Sequence, residues 1–174
     1  GIPTDVAFKE GDLVSIDCGV RKNGYYGDSA YTFGLGPLSD EHKRLLEVTI
    51  TSLYLGIEKA VPGNRIGDIG FAIQDYVEKN NFSVVRDLVG HGVGRSLHEP
   101  PEVPNFGRPG KGIVLKEGLV IAIEPMINLG KKEVRQASDG WTIITKDLLA
   151  SAHFEHTVAV RKNGVDILSD HTII

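Results

Sequence analysis

The sequence predicts an α+β fold in which two helices lie on one face of a largely antiparallel sheet. Two segments of helical periodicity follow each other directly, between positions 39 and 81. Runs rich in β-branched residues lie on both sides of them, and the turn signals Asn23-Gly24 and Asn163-Gly164 join several of these runs into hairpins. Helices that are grouped together, instead of alternating with strands, are typical of α+β proteins.

The composition excludes several classes of protein. With 174 residues, 41% of them hydrophobic and 24% charged, the chain suits one domain with a single core and is too apolar for global disorder. Its 19 basic and 23 acidic residues give a net charge of −4 without a basic stripe, so we expect no direct binding to nucleic acid. One cysteine, Cys18, and no apolar run of about 20 residues predict a cytoplasmic protein with no membrane contact.

A hairpin is the first predicted element. Residues 14–20 and 25–33 are rich in β-branched and aromatic side chains, as strands are. Asn23-Gly24 lies between them, and both residues tolerate the positive φ angles of a two-residue turn. This turn pairs Lys22 with Tyr25 and so determines the register of the whole hairpin.

Two amphipathic helices are predicted next. Ser39 precedes two acidic residues, which is the arrangement of an N-cap followed by anions near the positive end of a helix. Helical spacing of apolar residues continues as far as Pro62-Gly63, which ends the pattern. A second helical pattern covers residues 66–77 and stops at Asn80-Asn81.

The second half of the chain predicts further strands and one long loop. Residues 119–124 form a short apolar run that Pro125 ends, as expected of a buried strand. The stretch 98–111 contains four prolines and is predicted to be mostly loop. The other predicted elements are a strand at 83–89, a glycine turn at 90–94, strands at 141–145 and 151–160, and a hairpin at Asn163-Gly164 that leads into 165–168.

Two aspartates occupy the predicted hairpin, although aspartate is uncommon in strands. With Lys22 opposite Tyr25, Asp17 lies opposite Ala30. Asp28 is two positions from Ala30 and therefore points to the same face as Asp17. Two like charges about 7–8 Å apart on one half-buried face repel each other unless a cation lies between them. The alternative is that both face solvent, and a β-bulge would also change the register.

Three further residues extend this acidic set. His91 lies between glycines, Glu124 ends the buried strand, and Glu155 lies in β-rich sequence. Each has an ordinary alternative, namely a turn histidine, a solvated strand end and the exposed face of an edge strand. Together with Asp17 and Asp28 they offer four carboxylates and one imidazole, which suit Mn, Fe, Co or Zn. Five ligands are too many for one tetrahedral zinc, so two ions about 3.5–4 Å apart fit better.

A pair of divalent ions held in this way predicts a hydrolytic reaction. Water that bridges two divalent ions loses a proton near neutral pH and attacks a carbonyl or phosphoryl centre. The sequence contains no phosphate-cradling glycine loop beside a cationic cluster, which disfavours a phosphatase.

Six blocks of sequence resemble, in order along the chain, the successive signatures of the type I methionine aminopeptidases. They are Gly1-Ile2-Pro3, Ser15-Ile16-Asp17-Cys18-Gly19, Gly27-Asp28-Ser29-Ala30, Gly90-His91-Gly92-Val93-Gly94 with His98-Glu99, Ile123-Glu124-Pro125-Met126 and Phe154-Glu155-His156-Thr157. Only 26 positions separate His98 from Glu124, which leaves no room for the helical insertion of the type II enzymes. The resemblance implies a pita-bread fold, and a metal-dependent exopeptidase that removes the N-terminal methionine of nascent proteins.

The resemblance also implies a role for each matching residue. Asp17 would chelate one divalent ion, and His91 with Glu124 would bind the other. Asp28 and Glu155 would bridge the two ions, whose hydroxide would attack the peptide carbonyl. The implied catalytic and substrate-binding residues are His98, which would stabilise the transition state, Glu124 as a proton shuttle, and Leu97 and Trp141 at the methionine pocket.

The family has a histidine directly before the Gly-Ile-Pro block, at which this chain begins. We therefore expect residues 1–174 to be one catalytic-domain segment that lacks the N-terminal part of the pita-bread fold. The implied partners are the N-terminal peptide of a nascent protein, the chain's own cleaved N-terminal segment and a nearby ribosome. Two alternatives are a proline-specific aminopeptidase or prolidase relative, and a non-catalytic peptide-binding module of the same fold.

Overall fold

Strands, two helices and further strands follow one another in the computed structural model, which describes residues 5–171. In chain order the elements are β1 (Leu13–Asp17), β2 (Val20–Lys22), β3 (Tyr25–Gly27), β4 (Ser29–Gly34), α1 (Asp40–Ile57), α2 (Ile66–Lys79), β5 (Ser83–Val84), β6 (Gly90–Gly92), β7 (Glu99–Val103), β8 (Val120–Ile123), β9 (Met126–Asn128), β10 (Val134–Gln136), β11 (Ile143–Thr145), β12 (Ser151–His153), β13 (Glu155–Arg161) and β14 (Gly164–Ile167).

A seven-stranded sheet forms the centre of the protein. Six of its strands follow the order β1-β4-β13-β8-β6-β7, and β14 pairs with β13 outside this path. Each of these pairs is antiparallel. Smaller sheets are formed by β12-β9-β5, β2-β3 and β10-β11. The antiparallel sheet beside grouped helices confirms the predicted α+β class.

The first hairpin has the predicted register. Asn23 and Gly24 take positive φ angles of 52° and 83°, and Lys22 pairs with Tyr25. Asp17 pairs with Ala30, as the turn predicts. The two long strands expected here are each split in two, and Asp28 lies in the break between β3 and β4 and not within a strand. The register is nevertheless the same on both sides of the break.

The two helices pack on the sheet through one apolar cluster. Ser39 caps α1, since its hydroxyl oxygen accepts from the amide of His42 at 3.1 Å. The α2 helix begins with the Asp68 carboxylate accepting from the Arg65 amide at 2.7 Å. No helix within residues 5–171 is long and apolar enough to cross a bilayer. The helical residues buried in the shared core are Leu45, Val48, Leu53, Ile57, Ile66, Ile69, Ile73 and Val77.

Two segments that were predicted to be irregular each contain a short strand, although most of 98–111 is loop as predicted. The expected glycine turn contains β6, and the expected proline-rich loop contains β7. A side chain at Gly90 would collide with the carbonyl oxygen of Ala122, and one at Gly92 with that of Pro100. These glycines therefore permit close packing of neighbouring strands and do not reverse the chain. Prolines are tolerated in β7 because it lies at an edge of the sheet.

Several other strands differ in length from the prediction. The strand expected at 83–89 is reduced to β5, a two-residue strand. The strand expected at 151–160 is divided into β12 and β13, which belong to different sheets. The sequence pattern did not predict β9, which begins directly after Pro125, or β10.

Replacement of Gly90 by alanine tests the close approach of β6 and β8. We expect Gly90→Ala to lower the free energy of unfolding by roughly 1–3 kcal/mol, because the backbone must shift to accommodate the methyl group. Urea unfolding monitored by circular dichroism measures the change. Gly27→Ala is the matched control, since a Cβ there meets nothing within 4 Å. Equal destabilisation by both variants would contradict this explanation.

Candidate metal centre

Five acidic or imidazole side chains meet on neighbouring strands of the central sheet. They lie at the end of β1, before β4, at the start of β13, directly after β8 and within β6, which are adjacent in the sheet order. Their order across the sheet is Asp17, Asp28, Glu155, Glu124 and His91. Segments as far apart in sequence as positions 17 and 155 are thus brought to one place.

Ligand atoms of these residues form overlapping groups that are close enough to hold a cation. In each group the three ligand atoms lie within 4.8 Å of one another. Glu155 is shared by a group with Asp17 and Asp28 and by a group with His91 and Glu124. These two groups therefore overlap in one carboxylate. The third group consists of Asp28, His91 and His98.

Asp28 is held at the break in the hairpin by Thr157 on β13. The Asp28 amide donates to the threonine hydroxyl oxygen at 2.9 Å, and the same hydroxyl donates to the Asp28 carbonyl at 2.7 Å. The carboxylate accepts from the Ser29 amide at 3.2 Å. The Thr157 side chain therefore replaces the strand partner that the main chain of Asp28 lacks. Asp28 is only 5% exposed, and its side chain can point into the site.

His91 presents its Nε2 atom to two carboxylates. Its Nδ1 lies 2.9 Å from the Gly92 carbonyl oxygen, which only accepts, so Nδ1 carries a proton and donates. Nε2 lies 3.6 Å from Asp28 Oδ2 and 3.4 Å from Glu124 Oε1. In the neutral imidazole, the Nε2 lone pair faces these anionic oxygens. This arrangement is repulsive unless a proton or a metal ion lies between the atoms.

Glu155 is the most buried member of the set. It is 2% exposed, and its Oε1 atom is buried without a hydrogen-bond partner in the part of the chain that the structure describes. Burial and, after it, the negative charges of Glu124, Asp28 and Asp17 together raise its pKa to about 10. Burial, followed by the charge of Asp17, likewise raises the pKa of Asp28. The alternative of an exposed edge position for Glu155 is therefore wrong.

Sequence reasoning missed two polar residues next to Glu124, one buried and one half-buried. Asn105 is fully buried, and its side-chain amide donates to the Glu124 carbonyl at 3.0 Å. His153 Nε2 lies 3.5 Å from Glu124 Oε2, although no hydrogen bond is formed. A signal for His153 was available, because it precedes Glu155 by two positions and alternate residues of extended chain share a face. Nothing local marks Asn105, which lies after an edge strand.

A cavity of about 540 Å³ opens onto part of the cluster of acidic and imidazole side chains. Asp17, His91, His98, Glu124 and His153 line it together with apolar side chains such as Met126 and Leu88. The exposed His98 ring lies edge-on to His91, with ring centroids 4.3 Å apart. The cavity is therefore open to solvent on the His98 side and acidic at its base.

The two predicted pocket residues lie in different surroundings. Leu97 is half-buried and packs on Gly19, where an added Cβ would be 2.9 Å from Leu97 Cδ1 and 3.6 Å from Asp28 Oδ1. Trp141 lies between β10 and β11, is 68% exposed and is not among the described residues that line the cavity. Leu97 thus borders the acidic cluster, whereas the role of Trp141 stays a prediction.

The sequence matches the family model for metallopeptidase family M24 over residues 1–162. The chain belongs to metallopeptidase family M24. It is 55% identical to the methionine aminopeptidase of Clostridium perfringens and 53% identical to methionine aminopeptidase 1 of Bacillus subtilis. Each alignment covers 97% of this chain and 68% of the relative, so the chain spans about two thirds of their length.

Solved structures of M24 relatives share the fold. The methionine aminopeptidase of Rickettsia prowazekii is 48% identical with a TM-score of 0.94, over 96% of this chain and 68% of that one. A prolidase from Pyrococcus furiosus is 26% identical with a TM-score of 0.77, over 98% of this chain and 44% of that one. These neighbours confirm the expected pita-bread architecture. The Gly1-Ile2-Pro3 block of the resemblance lies outside the described residues.

Membership of the M24 metallopeptidases implies the use of divalent metal, and the donor set fits such ions. Carboxylate oxygens with a single imidazole suit hard or borderline divalent cations. Within residues 5–171, the buried and unpartnered Oε1 of Glu155 and the Nε2 lone pair of His91 are two groups that a cation would satisfy.

The pH dependence of stability in the metal-free protein tests the electrostatics of the cluster. In the folded protein the pKa of Glu155 is about 10, above its ordinary value of 4.5. Between these pH values the folded state therefore binds more protons than the unfolded state. The free energy of unfolding therefore falls as the pH rises through this range, by at most about 1.4 kcal/mol per pH unit for one group. Glu155→Gln removes this slope, because the amide stays neutral.

Urea unfolding in a chelator at pH 5.5, 7 and 8.5 measures the slopes of both proteins. Glu117→Gln is the matched control, since Glu117 is exposed in the turn before β8, and it keeps the wild-type slope. Identical slopes for wild type and Glu155→Gln would refute the shifted pKa.

Proposed function

We propose that this chain is a metal-dependent aminopeptidase that releases the N-terminal methionine of nascent proteins in the cytoplasm. The observation that carries the proposal is the convergence of Asp17, Asp28, His91, Glu124 and Glu155 into overlapping groups of ligand atoms within 4.8 Å. The methionine aminopeptidase names of relatives about half identical to it support the choice of reaction.

The ligand assignment follows from the shared members of the groups. Glu155, Asp28 and His91 each belong to two groups. A carboxylate has two oxygens to offer, so Glu155 and Asp28 would be shared by both ions. His91 has a single free nitrogen and would bind one ion together with Glu124, and Asp17 would bind the other. His91 is suited to its role because the bond from Nδ1 to the Gly92 carbonyl leaves Nε2 free to coordinate. Two ions of the series Mn, Fe, Co and Zn are compatible with these ligands.

The bound ions supply a polarised carbonyl and a water whose pKa is lowered to near neutrality. The protein's own residues bind and orient the peptide. Asp17 is the exposed carboxylate of the cluster and holds the positively charged α-amine of the substrate. His98 lies at the solvent side of the cavity, where its ring N–H donates to the carbonyl oxygen as negative charge develops there.

Peptide hydrolysis also requires a proton on the departing nitrogen. Glu124 lines the cavity and is 9% exposed, so its carboxyl group can take a proton from the attacking water and pass it to the amine. The Asn105 amide holds the Glu124 main chain in place during this transfer. Leu97 and Trp141 border the methionine side chain, and a narrow next subsite admits small second residues.

A peptide-release assay tests the reaction. Chelated protein supplemented with Mn²⁺ or Co²⁺ releases methionine from Met-Ala-Ser, and chelated protein without added metal releases none above background. Asp28→Ala abolishes release, because it removes a ligand assigned to both ions. Chromatography of the free amino acid measures the product. Preferential cleavage of Xaa-Pro peptides would reassign the chain to proline-specific peptidases, and metal binding without any cleavage would indicate a peptide-binding module.

Substitution of His98 tests its assignment as an oxyanion donor. We expect His98→Ala to lower kcat by about 10²–10³ with little change in KM, because the bond strengthens only in the transition state. Steady-state kinetics on Met-Ala-Ser at saturating metal separate the two constants. His42→Ala is the matched control, because His42 lies on α1 and bonds the Gly11 carbonyl. A rise in KM with unchanged kcat would make His98 a simple binding residue.

A further inference from the structure

A cluster of polar side chains lies behind the metal centre, around β13. One edge of β13 pairs with β8. The opposite edge pairs first with β4, at Glu155 and His156, and then with β14 from Val158 onward. Thr157 lies at the junction of these two neighbours. It is also the residue whose hydroxyl holds the main chain of Asp28.

The segment 168–171, which follows β14, closes this junction. The Leu168 amide donates to the Thr157 carbonyl at 2.8 Å, and the Thr157 amide donates to Ser169 Oγ at 3.0 Å. His171 then reaches β4, where its Nε2 lies 2.6 Å from Ser29 Oγ. Both backbone groups of Thr157 on this edge are therefore satisfied by the segment.

Ser29 connects His171 to the two most buried carboxylates of the centre. Its amide donates to Asp28 Oδ1 at 3.2 Å, and its hydroxyl donates to the main-chain carbonyl of Glu155 at 3.2 Å. A serine hydroxyl has one proton, so when it donates to that carbonyl, His171 Nε2–H must be the donor to Ser29 Oγ. Burial lowers the pKa of His171, which favours the neutral ring with one N–H.

The His171 ring is itself held on two sides. It lies edge-on to Tyr31, with centroids 5.1 Å apart, and near the fully buried ring of His156 at 4.2 Å. His156 is oriented by Ser169 Oγ at 3.1 Å and by the Tyr54 hydroxyl at 3.3 Å. The ring contacts with Tyr31 and His156 limit the rotation of the His171 imidazole away from Ser29.

We propose that His171 is a positioning residue of the metal centre, which acts through Ser29 to hold the Asp28 and Glu155 carboxylates at the separation that two ions require. The proposal rests on the proposed function, since it assigns these two carboxylates to both ions. Without the His171 bond, only the hydrogen bond to the Glu155 carbonyl holds the Ser29 hydroxyl, and the strand ends that present both ligands lose part of their common anchor. Groups that orient metal ligands from behind typically change metal affinity or activity 10–100-fold when removed.

Metal affinity in variants of the full chain tests the proposal. We expect His171→Ala to weaken Mn²⁺ binding by about 10-fold or more and to lower kcat with little change in KM. His171→Gln retains an N–H at a similar distance from the backbone, so we expect it to restore most of the Mn²⁺ affinity and most of kcat. Isothermal titration with Mn²⁺ gives the affinity without turnover. Tyr54→Phe is the control, because it removes a hydrogen bond from the same cluster that does not lead to Ser29, and it leaves both constants unchanged.

A double-mutant cycle with Ser29→Ala provides a second measurement. We expect Ser29→Ala, which also removes the bond to the Glu155 carbonyl, to weaken Mn²⁺ binding at least as much as His171→Ala does. The double variant is then no weaker than Ser29→Ala, because His171 acts through Ser29. Unchanged affinity in a folded His171→Ala protein, additive losses in the cycle, or an equal loss in Tyr54→Phe would each overturn the proposal. A wild type that binds Mn²⁺ but cleaves no peptide refutes the proposed activity alone, since the titration still decides the role of His171.

Discussion

Repulsion between carboxylates in a partly buried space is the constraint on which the rest of this structure depends. Asp28, Glu124 and Glu155 are each less than a tenth exposed, and Asp17 lies next to them. Burial, together with the charges of its acidic neighbours, raises the pKa of Glu155 to about 10. Such a cluster is stable only with protons or cations among its oxygens, which makes it both a destabilising feature of the empty fold and a strong site for metal.

The central sheet supplies the rigidity that this repulsion demands. Each ligand comes from a strand or from a residue next to one, and adjacent strands are joined by ladders that resist the separation of like charges. Close packing of β6 on β8 requires glycine at position 90, which brings His91 within 3.4 Å of Glu124. Thr157 and the segment 168–171 perform the corresponding task for Asp28 and Glu155. The polar groups behind the ligands are thus part of the site's construction.

Local rules accounted for much of the first half of the chain. The Asn23-Gly24 turn sets the register that pairs Asp17 with Ala30, because a two-residue turn leaves no freedom in the pairing. Ser39 caps α1 through a hydrogen bond with the amide three residues later, so the local sequence is enough to predict it. Prediction missed the strands at residues 90–92 and 99–103, in which glycine and proline occur. The features that decide these strands are not local. Ala122, against which Gly90 packs, is distant in sequence, and the sequence does not show that β7 lies at an edge of the sheet.

The sequence by itself determined the helices, the first hairpin and the identity of the acidic and imidazole side chains, because these depend on contacts within a few residues. It left open whether Glu124 and Glu155 face solvent, it indicated His153 only by its spacing from Glu155, and it contained no sign that Asn105 or His171 lie behind or beside the site. Only the tertiary structure decided these points. Burial and pKa are properties of the assembled sheet, since they depend on which distant segments exclude water and place a second charge within a few ångströms.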